Sequence, residues 1–171
     1  QKMQMPLAWD VTRGSSNVVV GVLDTGIGLS HPDLVNSLWK NPGEIPGNTI
    51  DDDRNGYVDD YNGYDFAGEG LFPPVGAEDP IPNDTVDHGT HVSGTIAAQQ
   101  HNGIGITGVA PRSKIMAVKV LGGLLGSGYA SDITEGIMYA VDNGAKVINM
   151  SLRSEEHTSE LQSRFGISYA V

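Results

Sequence analysis

Asp24 and His88 are the residues whose types and settings could do chemistry together. Asp24 closes the run Val-Val-Val-Gly-Val-Leu-Asp-Thr-Gly-Ile-Gly (18–28), where apolar, largely β-branched residues give way to a carboxylate and a glycine turn. His88 opens His-Gly-Thr-His-Val-Ser-Gly (88–94). A carboxylate bound to one imidazole nitrogen fixes the tautomer and stabilises the imidazolium, leaving the other nitrogen to take a proton from a hydroxyl. An acid at a strand end and a histidine at a helix start are thus two thirds of a nucleophilic site. The third member is the nucleophile, and no Gly-x-Ser-x-Gly elbow occurs in the sequence.

The elements that must position this pair follow from periodicity. Residues 17–24 form a continuous apolar run bounded by Gly14-Ser15-Ser16 and Thr25-Gly26, as expected of a strand covered on both faces of a parallel sheet. Residues 39–86 are rich in Gly, Pro, Asn and Asp and read as one long irregular insertion. From His88 to about Gln100 the pattern places Val92, Ile96 and Ala97 on one helical face, with Asp87 as the expected N-cap. A strand over 113–121, a helix over 131–143 stopped by Gly144, and a strand over 146–152 complete an alternating order. Such alternation predicts an α/β layered fold whose ligands gather at the carboxyl ends of its strands, where Asp24 falls.

Charge points to cations. The chain of 171 residues holds 21 acidic against 10 basic residues, a formal net charge of −11, which makes nucleic acid and anionic membrane poor partners. Acid concentrates in Asp51-Asp52-Asp53-Arg54-Asn55-Gly56-Tyr57-Val58-Asp59-Asp60. Its spacing puts Asp51, Asp53, Asn55 and Asp59 at oxygen-ligand positions of an EF-hand-type calcium loop. Gly56 takes the turn position and Tyr57 the backbone-carbonyl position, while Asn62 stands where that loop carries glutamate. No cysteine is present, so stability must come from packing or metal, and no apolar run reaches membrane-spanning length. The first residues lack the pattern of a signal peptide.

These residues carry a family resemblance. Ala-Trp-Asp-Val (8–11), Leu-Asp-Thr-Gly-Ile (23–27), His-Pro-Asp-Leu (31–34), Asp-His-Gly-Thr-His-Val-Ser-Gly-Thr-Ile-Ala-Ala (87–98), Gly-Val-Ala-Pro (108–111), Ala-Val-Lys-Val-Leu (117–121) and Val-Ile-Asn-Met-Ser-Leu (147–152) follow one another as in subtilisin-like serine proteases. The chain resembles the N-terminal part of that catalytic domain over 1–152. The resemblance implies a truncated three-layer α/β fold, with a mostly parallel sheet flanked by helices, and a serine endopeptidase with Asp24 and His88 catalytic.

It further implies that Gly126, Ser127 and Gly128, with Ser151 and Leu152 facing them, pair with an extended polypeptide substrate. A calcium site is implied at Asp33 with the Asn102 side chain and the carbonyls of Gln100, Ile104 and Ile106. Secretion, an upstream pro-segment and a monomeric complete enzyme belong to the same expectation. The family's oxyanion asparagine and its Gly-Thr-Ser-Met-Ala nucleophile segment do not occur. Ser93, Ser127, Ser131 and Ser151 stand in contexts with other roles. Residues from about Arg153 resemble the conceptual translation of a sequencing adapter, so 153–171 is expected to be an artefactual tail and the chain as it stands inactive.

Rival chemistries fit less well. His88 and His91 could converge on zinc, but metalloprotease helices use His-Glu-x-x-His and that glutamate is missing. Asp-Thr-Gly also occurs in aspartic proteases, whose fold is nearly all strand and needs a second copy. A non-enzymatic calcium-binding pseudoprotease module ending near residue 171 is the alternative from another class.

Overall fold

The computed structural model describes residues 4–68, 70, 77–153 and 169–170. Helix α1 spans Met5–Val11 and begins with proline in its first turn, where the missing N–H is no loss. Strand β1 (Val19–Asp24) follows, then β2 (Gly63–Asp65), α2 (His88–Ala97), β3 (Lys114–Lys119), α3 (Ala130–Asp142), β4 (Val147–Met150) and β5 (Tyr169–Ala170). The strands lie in the order β2-β3-β1-β4-β5. All neighbouring pairs are parallel except β4 with β5. This is the mostly parallel α/β sheet that the alternation predicts.

β1 is central, and its side chains alternate between two cores. Val20 and Val22 pack with Ile115, Ala117, Leu34 and Ala97 on the α2 side. Leu23 packs with Met116, Val118, Tyr139 and Ile148 on the α3 side. Each fully buried Val or Leu contributes about 1.5–3 kcal/mol relative to exposure, so this strand is fixed from both faces. Gly21 lies against Ala140 and Ala145, letting α3 approach the sheet closely. The carboxyl end of β1 is therefore a rigid platform, and Asp24 stands on it with none of its surface exposed.

The segment 39–86 departs from the expectation of an unbroken irregular insertion. It contains β2, whose three residues pair in register with Ala117–Lys119 of β3. Three residues are too few to show a period, and Gly63 enters the strand at φ +128, where the Ala117 carbonyl would collide with any side chain. A buried ion pair secures this edge: Lys119 Nζ lies 2.8 Å from Asp65 Oδ2, with both side chains wholly inaccessible. Burial pushes the Asp65 carboxyl up, and the Lys119 contact opposes that shift.

Of the expected tail, residues 154–168 and 171 lie outside the described residues. Tyr169–Ala170 forms β5, antiparallel to β4.

Candidate active site

The turn after β1 and the first turn of α2 are built to meet. His88 Nδ1 lies 2.7 Å from Asp24 Oδ1, and the same oxygen accepts the Thr25 N–H at 2.8 Å. Asp24 Oδ2 has no hydrogen-bond partner among the described residues. The His88 side chain is 51% exposed, so the ring edge away from Asp24 faces solvent. Gly89 makes the approach feasible, because a Cβ there would run into the Gly26 carbonyl and press on Asp24. A buried carboxylate thus holds one imidazole nitrogen while the other is free to exchange a proton with an incoming group.

Asp84 laces the two motifs together, and the sequence reading missed it. Its carboxylate accepts the Thr25 hydroxyl (2.8 Å), the Thr90 hydroxyl (2.6 Å) and the backbone N–H groups of Val86, Asp87 and Thr90. Thr25 in turn accepts the Gly89 N–H, and Thr90 accepts that of Gly28. Asp87, the expected N-cap, has left-handed backbone (φ 71) and makes no side-chain capping bond. Asp84 reaches the helix start instead, because the chain doubles back over 84–87. The available signal was an acid four residues ahead of a helix start, where free N–H groups attract a carboxylate.

Burial pulls the Asp84 pKa up, but the hydrogen bonds from Thr90, Val86 and Thr25 outweigh it and hold the group below its usual 3.8. A depressed carboxyl pKa stabilises the fold above the unfolded value and ceases to do so as pH falls through the folded one. Asp84→Asn is therefore expected to cost about 2 kcal/mol at pH 7, the scale of hydrogen bonds to a charged group. Denaturant melts should show that deficit narrowing below about pH 3.8. A deficit constant with pH would contradict a role for the charge.

The subtilase family profile matches residues 15–169, the span that holds both motifs. The chain belongs to the subtilase family. It is 39% identical over 163 residues to the thermophilic serine proteinase of Bacillus sp. (strain AK1), covering 95% of this chain and 32% of that protein. It is also 39% identical over 163 residues to the major intracellular serine protease of Bacillus subtilis (strain 168), covering 94% of this chain and 41% of the relative. Against the minor extracellular protease Vpr of the same organism it is 33% identical over 164 residues, covering 96% of this chain and 17% of Vpr. The chain thus spans well under half the length of these relatives.

In this subtilase, topology places the expected substrate segments. β1 lies between β3 and β4, so the chain leaving β3 and the chain leaving β4 flank the end that carries Asp24. Gly126 and Ser127 sit in a turn after β3, where Ser127 exchanges two backbone hydrogen bonds with Gly122 (3.0 and 2.8 Å). Gly128 leaves no room for a side chain beside the Val120 carbonyl. Ser151 is exposed after β4, and Leu152 packs partly on the core. Leu124 and Leu125 are largely exposed beside the 126–128 segment.

The two expected calcium loops differ in their fit to a cation. Asp33 is buried, and both its oxygens already have donors: Asn102 Nδ2 at 2.6 Å and the Ile106 N–H at 2.9 Å. Asn102 Oδ1 accepts the Ile104 N–H at 3.2 Å, so a cation beside Asp33 requires that amide to turn over. Gln100 Oε1 accepts from Arg13.

In the acidic loop the structure brings Asp51, Asp53 and Asn55 together. The Asn55 N–H bonds to a carboxylate oxygen of each aspartate, and Asp51 also accepts the Gly56 N–H. Asp59 points elsewhere, accepting the N–H groups of Gly47, Asn48 and Thr49. Tyr57 places its ring against Tyr64, Phe66 and Tyr139, and burial, with Glu135 adding to it, pushes its hydroxyl pKa up to about 12.

Proposed function

We propose that this chain carries the acid and base of a serine endopeptidase, as the N-terminal part of a longer catalytic domain that supplies the nucleophile. The observation that carries this reading is the 2.7 Å contact between a wholly buried carboxylate and a half-exposed imidazole. Asp24 holds the proton on His88 Nδ1, so Nε2 is the basic nitrogen. Nε2 takes the serine hydroxyl proton as the oxygen attacks the peptide carbonyl, and later delivers it to the leaving amine as the carbon–nitrogen bond breaks. The Asp24 carboxylate offsets the imidazolium charge. Extended polypeptide is the substrate, held between the segments 126–128 and 151–152 that flank the catalytic strand end.

Sequencing the coding region beyond Leu152 tests the assignment. A downstream Gly-Thr-Ser-Met-Ala is expected, and a fluorophosphonate probe should label its serine in the complete protein. A stop codon directly after Val171 would favour the non-enzymatic module instead. No helix among the described residues is long and apolar enough to cross a membrane. Secretion as a monomer, with a signal and pro-segment encoded upstream of Gln1, completes the reading, and an initiator codon adjoining Gln1 would overturn that part.

Calcium is the proposed structural cofactor. Oxygen-rich loops at Asp33 and over 51–60 support it, and a cation that binds only the folded state raises its stability. At free calcium a hundredfold above its dissociation constant the gain is about 2.7 kcal/mol, read as a rise in Tm. A melting curve identical in calcium and in chelator would remove this part of the reading.

A further inference from the structure

Nearly every carboxylate oxygen in the acidic loop has a partner that explains it without a metal. Asp60 is buried and accepts Tyr139 Oη (2.6 Å), Asn41 Nδ2 (2.8 Å) and Asn55 Nδ2 (3.0 Å), which ties the loop to α3. Asp52 accepts the Ile45 N–H and the Asn48 amide, and Asp59 caps the turn at 47–49. One group stands apart. Glu44 is only 6% exposed, and its Oε1 accepts the N–H groups of Asp52 and Asp53, yet its Oε2 has no partner among the described residues.

A buried carboxylate oxygen without a donor is costly, because burial strips the water that would otherwise satisfy it. Glu44, Asp51 and Asp53 each offer one carboxylate oxygen, and these three oxygens lie within 4.8 Å of one another. The cluster grades outward, with Glu44 buried, Asp51 half-buried and Asp53 exposed, so a hydrated ion can enter from the solvent side and shed water as it seats. Three hard oxygens in an irregular loop, with room for water on the open side, suit the large, flexible shell of calcium. They suit the rigid octahedron of magnesium less well.

We propose that Glu44, Asp51 and Asp53 together bind one calcium ion, with Glu44 as its buried anchor and Asp59 outside its shell. This deepens the calcium reading above by replacing the ligand set that spacing alone implies. Glu44 lies seven residues ahead of the Asp-x-Asp-x-Asn-Gly run, at no position of an EF-hand-type loop, and only the folded turn over 44–53 brings it in.

The test is calorimetric titration of the full chain, stripped with chelator, using calcium chloride as the probe. Glu44→Gln and Asp51→Asn are each expected to weaken one site at least tenfold, while Asp33→Asn leaves that site unchanged. Magnesium is expected to bind the same site at least tenfold more weakly than calcium. Far-UV circular dichroism checks each variant. If Glu44→Gln fails to fold, Asp51→Asn at the half-exposed ligand decides alone.

Calcium binding in both ligand variants indistinguishable from the parent would overturn the ligand set while leaving calcium as a cofactor. No calcium binding by the unsubstituted chain at millimolar concentration would overturn both. Binding is read without peptide hydrolysis, so neither result depends on the endopeptidase assignment.

Discussion

Replacing His88 by alanine in the complete protein is expected to lower kcat/KM for peptide hydrolysis by at least about 10³-fold, because it removes the group that shuttles the proton in both half-reactions. Asp24→Asn should approach the same loss while leaving the fold intact. The asparagine can present its amide N–H to His88 Nδ1, turning the ring to the tautomer whose Nε2 already carries a proton and cannot accept one. Both effects should fall mainly on kcat, since neither side chain lies in the segments 126–128 or 151–152 proposed to hold substrate. Steady-state kinetics on a chromogenic peptide separates the two constants. A variant that raises KM at unchanged kcat would place these residues in binding and remove them from the chemistry.

The largest effect on stability is expected at the far edge of the sheet. Lys119→Met should cost about 3–5 kcal/mol, because it leaves the Asp65 carboxyl buried without its cation in a site with no solvent contact. Asp65 also accepts the Ala67 and Gly68 N–H groups at 2.9 Å, so removing the aspartate would uncap a turn as well as break the pair. The lysine variant is therefore the cleaner probe of the charge. Its deficit should be largest at neutral pH and shrink as pH falls toward the unfolded carboxyl pKa, where Asp65 takes up a proton in both states and nothing charged is left unpaired. Urea melts at pH 7 and near pH 4 report the difference. A loss below about 1 kcal/mol at pH 7 would show that the site tolerates the bare carboxylate.

Much of this architecture is legible in the sequence. The run 17–24 fits a strand covered on both faces, because no alternation of polar residues gives it a wet side, and β1 lies at the centre of the sheet. The helix expected over 131–143 is α3, legible from Ile133, Ile137 and Ala140 at helical spacing and from Gly144, which adopts φ +82 just past the C-cap. The pairing of Asp24 with His88 followed from motif and setting.

What escaped has one physical cause: it depends on contacts between segments distant in sequence. β2 is strand only because β3 offers it a ladder. Asp84 matters because the turn before α2 folds back over the turn after β1. Glu44 joins Asp51 and Asp53 because the loop closes on itself, while Asp59, which spacing placed among the ligands, is drawn off by three backbone N–H groups at 47–49. Local pattern records which residues could act, and the closure of loops decides which of them meet.

A double-mutant cycle at Asp24 and His88 tests the central claim most directly, with kcat/KM of the complete protein measured for Asp24→Ala, His88→Ala and the pair. If the carboxylate acts through the imidazole, the double variant should fall within about tenfold of His88→Ala alone. Losses that multiply, each residue contributing its full factor in the absence of the other, would contradict the account.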